Sequence, residues 1–572
     1  MGGLNNFLST LRQRKIGQTV VVYLGSAWVV LEAFGFFAQR YGWDPRLFDA
    51  FLVLLLFGLP ATAFVRWFQE SDHPSSKRKQ VYLHSINLVL AIVFVVMTWG
   101  APTAKGVAST PKNSKSIAVL PFTNLSQNPD QEYFSDGITD DIISKLYKIS
   151  NLHVTSHTSV LMYKKTTKTI PQIADELGVA YVLEGSVQRS NNKVRINARL
   201  IHADDDANVW TNSFDNELSD VFQVQSKVAQ EIADGLKITL TQTEQERIQK
   251  IPTKNTLAYE YYQQGLFFTN QGPSLSNAEK AKNFFIKAIE QDSGFVTAYN
   301  GLAETYITFM DWGYSPPAEV LPQALKYAQK ALSLDSLCGE AYAAIGAYHL
   351  YATHDYVTAR KALDKAIKLN PAWDVAYYRY TILDWTVRDK DAALAHIAKA
   401  IELNPLSIRS NGYRVQTFYM FRDMKGALNE CNRLLTVFPN DNFLLWLRGN
   451  IYSQLGDYPK AIESFLQRSV ETKDTNWALG YTYGKAGEKE KARRIAEYLI
   501  EKSKTRYVPP SFIGVVYLGL DDLDSAFIYF EKSVDTNDYW LTTYDIEPFF
   551  DPIREDPRYK DIQSRLMGTP AM

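Results

Sequence analysis

An alanine recurs at an almost constant spacing through the second half of the chain, and this periodicity constrains the fold more than any other feature. The series consists of Ala359, Ala393, Ala427, Ala461, Ala492 and Ala526. Four of its five steps are 34 residues long and one is 31. Ala324 and Ala281 extend the series backwards across an insertion at residues 311–322. Such a period is typical of a helix pair repeated along an extended array, here with about eight units.

Other small, aromatic and proline positions repeat in step with the alanine. They are Gly346, Gly449, Gly480 and Gly514, then Tyr452, Tyr483 and Tyr517, then Phe285, Leu363, Phe465 and Phe530, and finally Pro371, Pro405 and Pro439. The segment at residues 447–465 (LRGNIYSQLGDYPKAIESF) resembles the tetratricopeptide repeat (TPR) almost throughout. We therefore predict an all-α TPR solenoid of about eight repeats over residues 256–540. The tail at 541–572 is predicted as a capping segment, in which Ile546–Leu566 forms a capping helix with a DPR turn.

The stacked helix pairs of a solenoid leave a concave groove lined by the first helix of each pair. The position of each residue relative to the repeated alanine predicts that eight side chains face this groove. The aromatic and arginine side chains among them are typical anchors for a bound peptide. The predicted partner-binding residues are Tyr378, Trp385, Arg409, Gln416, Tyr419, Trp446, Asn450 and Gln454. The alternative is that some of these side chains pack between helices instead.

Three apolar runs in the first hundred residues are long enough to approach or reach a membrane-spanning helix. They cover about Thr19–Phe37, Leu47–Phe68 and Val81–Trp99. A bilayer-spanning helix needs roughly 20 apolar residues. We predict a three-helix transmembrane anchor over residues 1–100, with buried helices of a soluble domain as the alternative. The runs resemble the N-terminal anchor of bacterial proteins that join a TolB-like domain to TPR repeats, through Phe7–Lys15, Tyr23–Glu32 and Leu56–Trp67.

Positive residues predict the orientation of this anchor. Arg12, Arg14 and Lys15 precede the first run, and a second basic group at residues 77–79 lies between the second and third runs. Basic residues are enriched on the cytoplasmic side of membrane helices. We therefore predict a bacterial inner-membrane protein with a cytoplasmic N-terminus and periplasmic soluble domains.

The pattern changes after a linker at residues 101–115 that is rich in alanine, proline, serine, threonine and lysine. Short apolar strands and amphipathic helices then alternate over residues 116–245, which indicates a compact α/β domain. Three motifs carry a resemblance to the TolB-like N-terminal domain of bacterial regulatory and envelope proteins, at residues 117–142, 176–201 and 210–232. Family members are joined to TPR arrays, DNA-binding domains or nucleotide-cyclase domains. Only a TPR array fits this chain, so a cyclase or transcription-factor role is not carried over.

Candidate chemistry is sparse. Asp136, Asp140 and Asp141 are interpreted as charges flanking the first turn of a helix, where they complement its dipole. His153 and His157 lie near serines, but no nucleophile elbow, zinc motif or phosphate-binding glycine loop is present in the sequence. We therefore predict no catalytic residues, no metal and no cofactor.

The charge balance and the cysteine content bear on which partners and which chemistry this chain can have. The 61 basic and 62 acidic residues balance, which argues against nucleic acid as a partner because phosphate binding needs a concentrated positive face. Cys338 and Cys431 are the two cysteines and are interpreted as buried apolar residues.

The leading hypothesis is a non-enzymatic, membrane-tethered scaffold for envelope assembly or signalling that holds a protein or peptide in the TPR groove. The alternatives are a regulatory sensor whose α/β domain binds a small ligand or envelope component, and an enzyme with an unrecognised site.

Overall fold

The computed structural model describes residues 16–41, 55, 113–128, 131–190, 192–271, 274–468 and 477–568. The chain divides into two compact units, residues 1–108 and 109–572. The first unit contains helix α1 (Ile16–Tyr41), which includes the first predicted apolar run. The second and third runs lie outside the described residues, apart from residue 55. Among the described helices, none has both the length and the apolar character that crossing a membrane requires.

The α/β domain contains a six-stranded mixed β-sheet. Its strands are β1 (Asn113–Val119), β2 (Thr123–Asn124), β3 (His153–Val154), β4 (Val179–Ser190), β5 (Lys193–His202) and β6 (Ala207–Glu217). Their order is β3-β1-β4-β5-β6, and β2 pairs with β4. Strands β3, β1 and β4 are parallel, whereas β4, β5 and β6 are antiparallel. Ile117, Ala118 and Val119 of β1 are fully buried, as expected for a strand covered on both faces.

Most of the helices described in this domain pack against the sheet. They are α2 (Glu132–Leu146), α3 (His157–Leu161), α4 (Ile170–Leu177), α5 (Val221–Gly235) and α6 (Gln242–Gln249). Thr169 and Gln172 form a capping box at the start of α4, and Gly178 ends this helix with a left-handed φ of 67°. The prediction of an α/β domain is confirmed. Its first strand begins at Asn113, slightly before the predicted boundary.

Eight helix pairs follow in the described part of the chain, and the prediction of a TPR-like helical solenoid is confirmed. The pairs are α7/α8 (Thr256–Asn270, Leu275–Gln291), α9/α10 (Val296–Asp311, Pro317–Leu334), α11/α12 (Gly339–Tyr351, Tyr356–Leu369), α13/α14 (Asp374–Thr386, Lys390–Leu403), α15/α16 (Ile408–Met420, Met424–Val437), α17/α18 (Asn442–Gln454, Tyr458–Leu466), α19/α20 (Trp477–Lys485, Lys489–Ser503) and α21/α22 (Pro510–Gly519, Leu523–Thr536). A last helix, α23, covers Pro557–Leu566.

The turn inside most pairs uses the same local chemistry. In the fourth pair Arg388 adopts a left-handed φ of 64°, and the Asp389 side chain that follows accepts a hydrogen bond from the Ala392 N–H. In the fifth pair Arg422 has a φ of 65°, and Asp423 caps α16 through the Gly426 N–H. The left-handed residue ends the first helix. The aspartate that follows accepts a hydrogen bond from a free backbone N–H group and so starts the second helix.

Glycine in the first helix lets the second helix approach closely. A Cβ atom built on Gly449 would lie 2.4 Å from Phe465, and one built on Gly514 would lie 2.4 Å from Phe530. The small and large positions of the repeat motif are therefore in direct contact within each of these pairs. Because both phenylalanines are fully buried, this contact forms part of the solenoid core.

Candidate partner-binding groove

The eight predicted partner-binding residues lie on three consecutive first helices, α13, α15 and α17. Trp385, Tyr419 and Asn450 are fully buried, and Tyr378 and Gln416 are nearly so. Arg409, Trp446 and Gln454 are partly exposed. This burial is unexpected for residues that would meet an external partner, and it has a specific cause.

The concave side of the solenoid is filled by residues 537–553 of the same chain, which we call the inner segment. Its first part contacts helices α11 and α13. The Tyr539 ring lies 5.3 Å from the ring of Tyr351, and the Tyr544 ring lies 6.0 Å from Trp385. Asp545 forms an ion pair of 2.8 Å with Arg388, at the turn that follows α13.

The second part of the inner segment contacts helices α19 and α22 and the turn that follows α15. The Phe549 ring lies 5.2 Å from Trp477 and 4.6 Å from Tyr481. Arg422 donates a hydrogen bond of 2.8 Å to the Ile546 carbonyl and forms an ion pair with Asp551. The inner segment therefore joins repeats that are far apart in sequence.

The prediction of a capping helix with a DPR turn over Ile546–Leu566 is wrong for its first half, whereas the helix does begin at the DPR motif. Residues Pro548–Ile553 form a 3₁₀ turn inside the solenoid, and α23 begins only at Pro557. Two prolines and two phenylalanines in PFFDPI break the helical period and supply the apolar side chains that are buried. Helix α23 itself packs against α22, where the Tyr559 and Phe530 rings are 6.4 Å apart.

Burial of the inner segment is extensive. Leu541, Ile546, Phe549 and Phe550 are each at most 2% exposed. Moving such a side chain into water costs roughly 1.5–3 kcal/mol. An external peptide could replace the inner segment only by supplying comparable contacts.

A second set of contacts crosses the groove nearer its start. Arg379 is 2% exposed and donates two hydrogen bonds to Glu304, of 2.9 and 2.6 Å. Arg409 lies 3.3 Å from Asp311 and stacks over the rings of Trp312 and Tyr378, at 5.9 and 5.4 Å. Helix α9 is thus tied to α13 and α15, two and three repeats further on.

Part of this arginine cluster remains accessible. Trp312 is 42% exposed and the Arg409 side chain is 33% exposed. Of the predicted partner-binding residues on α13 and α15, Arg409 is therefore the one that reaches the surface. It does so beside an exposed tryptophan that the sequence analysis placed in an insertion and did not select.

Glu547 is a buried acid in the inner segment. It is 0% exposed, and the Tyr419 hydroxyl and the Arg422 guanidinium are neighbouring polar groups. Burial raises its pKa to about 8, because a carboxylate removed from water is disfavoured. Its two carboxyl oxygens have no hydrogen-bond partner. This residue therefore links the stability of the filled groove to pH.

The α/β domain packs directly on the first repeat through α2 and α7. The Asp141 Oδ2 atom accepts hydrogen bonds from the Tyr259 hydroxyl, from Gln225 (2.9 Å) and from Gln263 (2.9 Å). Burial raises the pKa of Asp141 to about 7. The interpretation of Asp140 and Asp141 as residues of a first helical turn is wrong, since α2 begins at Glu132 and both lie two turns further on.

A second contact joins this domain to the loop between the fourth and fifth repeats. The Ser159 hydroxyl donates to the Asn404 carboxamide oxygen, and Asn404 Nδ2 donates to Thr158 (2.7 Å) and to Asp374 (2.8 Å). The Leu406 N–H donates to Ser159 Oγ at 3.1 Å. Ser159 is thus part of a structural contact.

Sequence reasoning missed this interface because it depends on which repeats curve toward the domain. Asn404 gave no distinct signal, since Asn370 also precedes a proline and donates in the same way to an acidic side chain 30 residues earlier. Within the described residues, no group of three or more histidine, cysteine, aspartate or glutamate side chains could hold a metal ion. Cys338 and Cys431 are buried and unpaired.

Comparisons with known proteins agree with the two-part architecture. Residues 113–234 match the family "HilA/YgeH-like transcriptional regulator, second domain", and residues 444–467 match the tetratricopeptide repeat family. The chain therefore carries TPR repeats, a class whose members bind peptides or proteins. The TolB-like resemblance of the α/β domain stays a prediction.

One curated relative and two solved structures are similar over parts of the chain. "Putative adenylate cyclase 3" of Rhizobium meliloti (strain 1021) is 39% identical over 222 residues, which are 38% of this chain and 38% of the relative. The human IFIT1 dimer with m7Gppp-AAAA has 15% identity and a TM-score of 0.38, over 55% of this chain and 77% of that chain. YrrB, a TPR protein with an unusual peptide-binding site, has 19% identity and a TM-score of 0.24, over 34% and 95%.

Proposed function

We propose that this protein is a non-enzymatic, membrane-tethered scaffold that recruits a partner protein through its TPR array. The observation that carries the proposal is the array itself, whose concave side already binds an extended aromatic and acidic segment of its own chain. The partner contacts the accessible rim of this groove, where Arg409 and Trp312 lie side by side. Exposed arginine and tryptophan are the residue types that dominate protein interfaces.

Site-specific photocrosslinking in cells tests this assignment. A photoreactive amino acid replaces Trp312 in one full-length variant and Tyr498 in another. Tyr498 is a matched control because it is 41% exposed and lies on α20, the second helix of its pair. We expect a discrete protein adduct at position 312 that Arg409→Ala weakens several-fold. Equal adducts at both positions, or adducts that ignore the arginine, would contradict the proposed rim.

Membrane tethering is supported by the surface of α1. Val21, Val22, Trp28 and Val29 are 66–69% exposed. An apolar surface of this kind marks contact with a membrane or another protein. We propose that the N-terminal hundred residues anchor the chain in the bacterial inner membrane, with the soluble domains in the periplasm for envelope assembly or signalling. Compartment-specific reporters fused after residues 100 and 572 test this orientation, and cytoplasmic signal from both would overturn the periplasmic placement.

A second function is favoured by the direct packing of α2 on α7. Because Asp141 of the α/β domain is bonded to Tyr259 and Gln263 of the first repeat, a shift of α2 would act directly on that repeat. We propose that the domain senses a small ligand and alters the first repeat. Hydrogen exchange of the α7 backbone amides, with and without the ligand, measures whether ligand binding alters the first repeat.

The name of the Rhizobium relative suggests a third test. Because the chain spans 38% of that relative, its activity is not carried over. The purified full-length chain should form no cyclic AMP from ATP above a buffer control. Sustained turnover would overturn the non-enzymatic proposal.

A further inference from the structure

The turn inside each helix pair from the second to the eighth contains a residue with a left-handed backbone conformation. Glycine adopts this conformation without strain and occupies three of these turns, as Gly313, Gly456 and Gly487. The other four turns contain His354, Arg388, Arg422 and Asp521. A residue with a Cβ atom is strained in this conformation, so a contact of its side chain is needed to offset the strain.

Arg388 and Arg422 obtain this contact from the inner segment, and we call the two arginines the turn clamp. Arg388 forms an ion pair of 2.8 Å with Asp545. The Arg422 Nε atom donates to Asp551 at 3.1 Å, and its Nη1 atom donates to the Ile546 carbonyl at 2.8 Å. The two arginines are one repeat period apart and the two aspartates are six residues apart. The turn clamp therefore recognises a pair of carboxylates at a set spacing.

Positive charge exceeds negative charge at the turn clamp. Arg554 lies 3.3 Å from Asp545 and 2.8 Å from Asp551, so three guanidinium groups share two carboxylates. Burial lowers the pKa of Arg388 below its usual value, and the nearby Arg554 and Arg422 act in the same direction. The Arg388 and Arg422 side chains are 43% and 36% exposed. A ligand can therefore reach the clamp from solvent, and the local charge favours an acidic one.

The inner segment is docked on the repeats through side chains. In the described part of the chain, its backbone–backbone hydrogen bonds stay within residues 533–556, as between the Asp538 N–H and the Ser533 carbonyl at 2.9 Å. Aromatic rings and the turn clamp make its contacts with the helix pairs. The segment can therefore leave the groove without opening a helix or a strand, provided that another ligand covers the apolar surface it leaves.

The inner segment also fits the groove incompletely at its centre. Both carboxyl oxygens of Glu547 are buried without a hydrogen-bond partner. A buried polar atom without a partner costs free energy. A ligand with an apolar side chain at this place would avoid that cost, so a sequence other than the inner segment can fill the groove better.

We propose that the turn clamp binds an acidic segment of the partner protein, and that the inner segment occupies this site until the partner displaces it. The partner segment has two carboxylates about six residues apart with aromatic residues between them, as in DIEPFFD at residues 545–551. The spacing is that of the aspartates which the two arginines bind here, and the rings replace those that now cover the groove.

This inference rests on the proposed scaffold function and names the class of its partner. Arg409 lies near the start of α15, whereas Arg422 follows the end of this helix. The accessible rim and the turn clamp are thus separate places on the array. Loss of binding at the turn clamp would leave the crosslink at residue 312 unaffected, so the two proposals fail separately.

Fluorescence anisotropy of a labelled synthetic peptide that covers residues 537–556 tests the proposal on the full-length chain. The double variant Asp545→Asn with Asp551→Asn weakens the chain's own segment and leaves both arginines in place. We expect it to bind the peptide at least about tenfold more tightly than the parent chain does, because charge-assisted hydrogen bonds no longer favour the internal copy. A peptide that carries the same two substitutions should bind the double variant at least about tenfold more weakly than the unchanged peptide.

Arginine variants show whether the turn clamp holds the peptide. Arg388→Gln and Arg422→Gln, each added to the double variant, should weaken peptide binding at least about tenfold. Arg433→Gln is the matched control, because Arg433 is 41% exposed and pairs with Glu430 of its own helix α16. This control should leave peptide binding unchanged.

Two results would overturn the proposal. One is equal binding of the peptide by the parent chain and the double variant, since the inner segment would then not compete for the site. The other is equal binding of the peptides with and without the aspartates. Circular dichroism verifies that each variant keeps the helix content of the parent. If the double variant does not fold, Asp551→Asn alone serves, because that side chain is 46% exposed. It should bind the peptide at least about threefold more tightly than the parent, and unchanged binding would also overturn the proposal.

Discussion

The ring of Tyr544 lies 6.0 Å from the indole of Trp385, edge to face, although 159 residues separate them in sequence. Trp385 belongs to the inner face of the fourth repeat, and its Nε1 donates a hydrogen bond of 2.9 Å to Thr417 in the fifth. Tyr544 belongs to the inner segment. The contact therefore ties two adjacent repeats to the tail of the chain.

Removing this contact should destabilise the whole array. Tyr544→Ala deletes a ring that is 7% exposed, and we expect a loss of about 3–5 kcal/mol in the free energy of unfolding, as for other buried aromatic residues. Urea denaturation of the full-length chain, followed by circular dichroism, measures the loss. Tyr498→Ala removes the same atoms from a side chain that is 41% exposed, and it should cost less than 1 kcal/mol, roughly as for other surface changes. Equal effects would show that the inner segment contributes little to stability.

The contact between α2 and α7 gives a second prediction. A Cβ atom on Gly137 would lie 1.8 Å from Gln263 Oε1. Gly137→Ala should therefore force the helices apart and lower the free energy of unfolding by about 1–3 kcal/mol, as overpacking does. Gln263→Ala removes the obstructing atoms, so the double variant should be more stable than Gly137→Ala alone. A double-mutant cycle with additive effects would contradict this contact.

The repeats could be predicted from sequence because their signals are local. Gly449 and Phe465 are in contact within one helix pair, and Asp457 caps the helix that immediately follows it. Each of these relationships spans fewer than 20 residues, so the period in the sequence contains the information. The same is true of α4, because its capping box at Thr169 and Gln172 and its terminal Gly178 are local signals.

The filling of the groove could not be predicted in the same way. Their positions in the helix repeat predict that Trp385 and Tyr419 lie on the inner side of the solenoid. What covers them depends on the curvature of the array and the path of the tail, neither of which has a local signal. The density of aromatic residues at 539–550 (YWLTTYDIEPFF) could have indicated burial, since an exposed cap does not need five large rings.

The ion pair between Arg379 and Glu304 supplies a third prediction. Arg379 is 2% exposed and its bonds to Glu304 bridge three repeats. Glu304→Ala leaves a buried guanidinium without a partner, for which we expect a loss of about 3–5 kcal/mol. Glu501→Ala breaks the exposed pair with Lys504 on α20 and should cost at most about 0.5 kcal/mol. Thermal and urea unfolding of the two variants provide the comparison. Losses of similar size would mean that the Arg379 guanidinium is not removed from water in the folded chain.

Glu547 predicts how stability depends on pH. Its pKa is about 8 in the folded chain and 4.5 without the surrounding protein, because the folded state excludes water from the carboxyl group. The folded state thus holds more protons than the unfolded state between these values. The stabilising contribution of the protonated acid is complete below pH 4.5 and is lost as the pH rises through about 8. Asp141, with a pKa of about 7, acts in the same direction.

Glu547→Gln keeps the shape of the side chain and removes its ionisation. The variant should match the parent chain near pH 5 and be more stable at pH 8.5, since the parent loses up to about 1.4 kcal/mol for each pH unit between the two pKa values. Urea unfolding at half-unit steps from pH 5 to 8.5 measures the difference. Glu497→Gln, on the exposed side of α20, should leave the pH profile of the parent unchanged. A Glu547→Gln profile parallel to that of the parent would mean that this carboxyl group is ionised in the folded chain at pH 5. The charged form would then be stabilised by water or by the neighbouring Arg422 guanidinium and Tyr419 hydroxyl, and burial of Glu547 as the neutral acid would be contradicted.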